Sequence, residues 1–219
     1  MPGITPEIVV QILREPAVRR INFRMGNCRV YPEGFETIAR AIETRRISVQ
    51  EAPHMPDTHD LLEPGVAIYS YGHDGFYFPL SPEYFREQGY DHMAQSAQDT
   101  IERHYGAGYL TSDTRLSMSR KALIIHEAVH AIQDFNRVTA VNYLVEGAGY
   151  IAQMMYRKLN HGDRVNDEPI LALAYDIASR ILTGGYEVTE AEVEAMRTTL
   201  AANPHYSGDN EAQTVFNGF

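Results

Sequence analysis

The sequence predicts an α+β fold, with a small β-sheet or hairpin first and a mainly helical half after it. Three observations point that way. Val66 to Tyr71 and Phe76 to Leu80 are rich in β-formers and flank a strong turn signal, Gly72-His73-Asp74-Gly75. From about Ser117 the apolar residues recur at helical spacing. No repeat, low-complexity tract or linker interrupts the chain, so residues 1–219 read as one domain. Its parts are mixed α/β over about 1–114, helical over about 115–202 and an irregular tail over 203–219.

Taken in order, Thr5-Pro6-Glu7 reads as a helix start, with Thr as cap and Pro at the first helical position. That helix should run to about Arg14. Residues 20 to 31 read as strand with a Gly26-Asn27 turn inside, 34 to 45 as helix, and Ile47 to Gln50 as a further strand. The Pro-rich stretch 52 to 65 reads as loop. After the hairpin, Ser81-Pro82-Glu83 starts a helix reaching toward Tyr105. Helices then follow from Ser117 to near Asn136, from Thr139 to Lys158, from about Asp167-Glu168-Pro169 to Gly184-Gly185, and from the capping box Thr189-Glu190-Ala191-Glu192.

Composition narrows the function. The formal net charge is −10 and no Lys/Arg stripe is present, which disfavours nucleic acid as a partner. No apolar stretch approaches a membrane span. The N-terminal residues lack the basic stretch and apolar core of a signal peptide, so the expected location is cytoplasmic. Cys28 is the one cysteine and reads as a small apolar residue.

The chemistry concentrates in His126-Glu127-Ala128-Val129-His130. Residues four apart on a helix project from one face, one turn from each other, so two imidazoles there can hold one ion. Glu127 stands beside them, where it can take a proton from a water polarised by the ion. Ala122, Ile125, Val129 and Ile132 give the helix an apolar side to pack. Two His need a third ligand, and Glu146 is the best candidate. The break at Asn136 to Thr139 implies an antiparallel helix pair centred near residue 138. Residues equidistant from the turn should meet: His130 with Glu146, His126 with Tyr150, Asp134 with Asn142. Asp134 and His161 remain rival ligands, and Tyr150 is a candidate partner of His126.

With Glu146 downstream, the motif resembles the zincin metallopeptidases, in the branch whose third ligand is a Glu on the following helix. The stretches His126 to Asp134 and Val145 to Gly149 are similar to bacterial peptidases of that branch, and the resemblance covers roughly residues 117 to 158. It implies a zincin-like fold, zinc on His126, His130 and Glu146, and Glu127 as general base. It further implies a peptide or protein substrate that pairs as an extended strand with an upstream strand, for which either strand of the 66 to 80 hairpin could serve. Tyr150 departs from the pattern, since some members carry an acidic residue there.

A peptidase also needs a donor for the developing oxyanion. His205 and Tyr206 lie where some relatives place one; Tyr109 and Tyr150 compete. Two other functions fit the motif. One is a zinc amidase acting on a small or modified substrate, such as a deformylase, although Cys28 matches that pattern poorly. The other is a binding module that keeps the fold without turnover, against which Glu127 argues.

Overall fold

Thr5 caps the first helix as expected: its side-chain oxygen accepts from the Ile8 amide, and Pro6 opens α1 (Pro6–Leu13). The computed structural model describes residues 4–52, 67–79, 86, 89, 91, 92, 94, 95, 117–162, 168–203, 206 and 211–219. A single 3₁₀ turn at Val18–Arg20 leads into the hairpin of β1 (Phe23–Met25) and β2 (Cys28–Val30). Gly26 supplies the positive φ that this tight turn needs (φ 58°). Then come α2 (Pro32–Glu43) and β3 (Ser48–Ala52). The expected loop at 52 to 65 and the helix from Ser81 to Tyr105 lie largely outside the described residues.

The second hairpin is β4 (Ile68–Ser70) and β5 (Gly75–Pro79). Its strands pair antiparallel, Tyr69 opposite Phe76, and β3 adds to the far side of β5 in parallel. The strand order is therefore β3-β5-β4. Of the two hairpin strands β5 is central, and β4 lies at an edge among the described residues.

The helical half begins with α3 (Met118–Phe135), whose Ser117 cap accepts from the Arg120 amide. Residues Thr139 to Val141 do not start the next helix. They form β6 (Thr139–Val141), paired antiparallel with β7 (Gln213–Val215) in the tail. Two readings are corrected by this pairing. The tail is not wholly irregular, and the following helix, α4 (Asn142–Leu159), starts three residues later than its apolar pattern suggests. The physical reason is a long-range ladder that local periodicity cannot register. Helices α5 (Pro169–Leu182) and α6 (Glu190–Ala201) follow, and Thr189 and Glu192 make the expected reciprocal capping box.

The result is a mixed α+β fold. Helices α3 and α4 pack on each other at its centre; α1 and α2 lie against α3, and α5 and α6 against α4. The β1–β2 hairpin packs on both central helices, and β4 packs on α3. Ala122, Ile125, Val129 and Ile132, the apolar back of α3, are fully buried. Buried apolar residues from Ile4 to Phe216 form one cluster, which holds the two central helices in fixed register. No helix among the described residues is long and apolar enough to cross a membrane.

Candidate metal centre

Every residue of α3 from Ile124 to Asp134 is buried, so its two imidazoles project into protein rather than solvent. His126 and His130 stand one turn apart, ring centroids 4.9 Å from each other. The ligand atoms of His126, Glu127 and His130 all lie within 4.8 Å of one another. Glu146 on α4 approaches both rings: one of its oxygens is 3.4 Å from His126 Nε2, the other 3.6 Å from His130 Nε2. The helix pair thus has the register that symmetry about residue 138 predicts for His130 and Glu146. Tyr150 also meets His126, ring against ring at 4.6 Å.

Close approach of α3 and α4 depends on Gly149. A Cβ there would stand 2.7 Å from His126 Nε2, a contact no side chain makes. Glycine in a helix interior weakens it by roughly 0.5–1 kcal/mol relative to alanine, so space for the imidazole is its physical justification here.

Each imidazole is held from behind by an amide. His126 Nδ1 lies 3.2 Å from Gln153 Oε1, and His130 Nδ1 lies 3.3 Å from Gln133 Oε1. The Gln133 amide nitrogen donates to the Val145 carbonyl, which turns its oxygen toward His130. An amide oxygen can only accept, so this placement suits a proton on Nδ1 of each ring. With the protons there, both Nε2 lone pairs would face Glu146, where a cation would sit.

Glu127 is held differently. Its Oε2 accepts from the Tyr69 backbone amide at 2.8 Å, so β4 reaches directly onto the motif. Burial pushes the Glu127 carboxyl up to about 7; the charge of Glu146 adds to this, while His126 and the Tyr69 amide oppose it. Glu146 is the opposite case. Burial would raise it, but His130, His126 and the Tyr206 hydroxyl outweigh burial and hold it at about 2. Burial pushes His130 below the ordinary imidazole value. Burial works against His126 as well, yet contact with Glu146 and the charge of Glu127 leave it raised. Two carboxylates in one cluster therefore differ: one stays ionised, one can exchange a proton near neutrality.

The rival ligands are occupied or distant. Asp134 accepts from the Tyr69 hydroxyl and the Gly218 amide, and Asn142, expected opposite it, bonds Thr214 instead. His161 lies beyond the far end of α4, roughly 20 Å along the axis from Glu146. His205 lies outside the described residues. Its neighbour Tyr206 donates to Glu146 at 3.2 Å and meets the Tyr150 hydroxyl at 2.8 Å. With the single Tyr206 proton on Glu146, Tyr150 must donate to Tyr206. Tyr150 therefore supports His126 by ring packing, and Gln153 makes the hydrogen bond expected of it. Gln133, Gln153 and Gly149 carry no sequence signal as site residues beyond their nearness to the motif. Cys28 is buried on β2, outside the metal cluster, and burial alone pushes its thiol up to about 12.

The donor set fits zinc. Zinc takes imidazole nitrogen and carboxylate oxygen at about 2.0–2.2 Å, and ligand atoms on a tetrahedron of that size stand about 3.4 Å apart. The two Nε2–Glu146 separations, 3.4 and 3.6 Å to different oxygens of the carboxylate, are close to that edge. Comparisons with family models, with curated proteins and with solved structures find no match for this chain.

Proposed function

We propose that this chain is a zinc-dependent peptidase of the zincin superfamily, with zinc on His126, His130 and Glu146 and Glu127 as general base. One observation carries the reading. The Glu146 carboxylate stands 3.4 Å from His126 Nε2 and 3.6 Å from His130 Nε2, beside a second carboxylate that a backbone amide engages. Zinc, when bound, would supply Lewis-acid polarisation of water and of the scissile carbonyl. Glu127 does the proton work. Its Oε2 is engaged by Tyr69, so Oε1 accepts the proton of the attacking water and returns it to the leaving amine. Gln133 and Gln153 keep the imidazoles in the ligating tautomer, and Tyr206 steadies Glu146. An extended peptide would lie beside β4, a hairpin strand at the sheet edge among the described residues.

Metal analysis tests this directly. The chain should hold about one zinc, and Glu146→Ala should lose it or bind it at least about tenfold more weakly. Undiminished zinc affinity in Glu146→Ala would contradict the ligand set. The deformylase form of the amidase reading draws less support, because Cys28 is not among the clustered residues.

A further inference from the structure

Tyr69 makes two bonds to the same helix. Its backbone amide donates to Glu127 Oε2 at 2.8 Å, and its hydroxyl donates to Asp134 Oδ2 at 2.9 Å. Glu127 and Asp134 are seven residues apart on α3, two turns and about 10 Å along one face. A single strand residue therefore spans the helix, its main chain at one carboxylate and its side-chain tip at the other. Asp134 is fully buried, and its second oxygen accepts from the Gly218 amide of the C-terminal segment at 2.8 Å. The Tyr69 ring packs on Phe76 across the hairpin, centroids 5.3 Å apart, which fixes it from the strand side. Strand β4 is only three residues long, and Tyr69 is its middle residue.

We infer that Asp134 is a positioning residue for Glu127, acting through Tyr69: the phenol–carboxylate bond holds β4 at the height where the Tyr69 amide orients the base. This rests on the role proposed above for Glu127. The geometry also explains why Asp134 is acidic. It accepts two donors from opposite sides, the Tyr69 hydroxyl and the Gly218 amide, and a carboxylate offers an acceptor oxygen to each. Asparagine would turn an NH₂ toward one of them. Burial and the Asp134 charge both push the Tyr69 phenol up, so it remains a donor across the working range of pH.

Two variants test the inference, Tyr69→Phe and Asp134→Leu. Each breaks the hydroxyl bond with little change in volume, and the second decides the matter if the first does not fold. The readout is amide hydrogen exchange at residue resolution in the protein as purified, with kcat and KM for peptide cleavage alongside. Exchange at the Tyr69 amide should accelerate by about tenfold or more, with Val129 and Ile132 in α3 changing less than about twofold. Zinc content should hold, and kcat should fall about tenfold or more while KM moves less than about twofold. An unchanged Tyr69 amide, or equal acceleration along α3, would overturn the inference, the latter because it marks a general loss of stability. If the parent chain cleaves no peptide, the function proposed above fails, and the exchange data alone still decide whether Asp134 sets the Tyr69–Glu127 contact.

Discussion

Neutral amides stand behind both imidazoles, and that choice bears on how the site would hold its ion. A carboxylate behind a ligating imidazole raises its basicity; Gln133 and Gln153 orient the rings without adding charge. Gln133→Leu keeps the volume and removes the acceptor for His130 Nδ1. Zinc affinity, measured by chelator competition, should fall about 10–100-fold, and an unchanged affinity would show that ring orientation is set by packing alone. At this scale the sequence was legible where the chemistry is local. His126, Glu127 and His130 are adjacent turns of one helix, so spacing alone groups them. Tyr206 and Gln153 join the cluster only through tertiary packing, and no spacing announces either. Tyr150 faces His126 as helix symmetry predicts, but contact does not define role, and its proton goes to Tyr206.

Among the described residues, helices were legible where their ends carry chemistry. Thr5, Ser117 and Thr189 all accept backbone amides at the positions their side chains suggest. Strands of three residues carry too little pattern, which is why Thr139 to Val141 reads as helix until Gln213 to Val215 is seen beside it. The register of α3 against α4 was legible from the turn between them, and it delivers Glu146 to the imidazoles. The intimacy of that packing was not, because Gly149 inside a helical run signals nothing by itself. Gly149→Ala should raise intrinsic helix propensity by up to about 1 kcal/mol. It should nonetheless weaken zinc binding about tenfold or more, since the new methyl displaces the His126 ring. Metal titration of the variant checks this, and full affinity would mean the helices separate without disturbing the ligands.

Across the whole molecule, distant segments of the chain converge on α3. β4 touches it through Tyr69, and the C-terminal segment touches it through Gly218, while the Phe216 amide meets Val138 just beyond its end. Such contacts cross more than fifty residues of chain, so the α+β class was readable but the convergence was not. Stability away from the site has its own pH signature. Glu192 closes the α6 capping box and pairs with Arg180 at 2.6 Å. Burial raises its carboxyl, but Arg180 and Thr189 outweigh burial and hold it below the ordinary value. The unfolded chain therefore takes up this proton first as pH falls. The contribution is full above the ordinary carboxylate range and is lost as pH drops through the folded value. Glu192→Gln should lower stability by on the order of 0.5–1 kcal/mol near pH 7, and the difference should shrink as pH falls below the ordinary carboxylate range. Thermal melts of both chains across that range would reveal a constant difference if the charge played no part.

Cleavage of a peptide library by the zinc-loaded chain and by its Glu127→Gln variant tests the central claim most directly. Glu127 is proposed as the base and not as a ligand, so the variant should keep its zinc and its fold. The parent chain should cleave, and Glu127→Gln should be slower by about two to four orders of magnitude. A variant that cleaves as fast as the parent, or a zinc-loaded parent that cleaves nothing, would contradict the account.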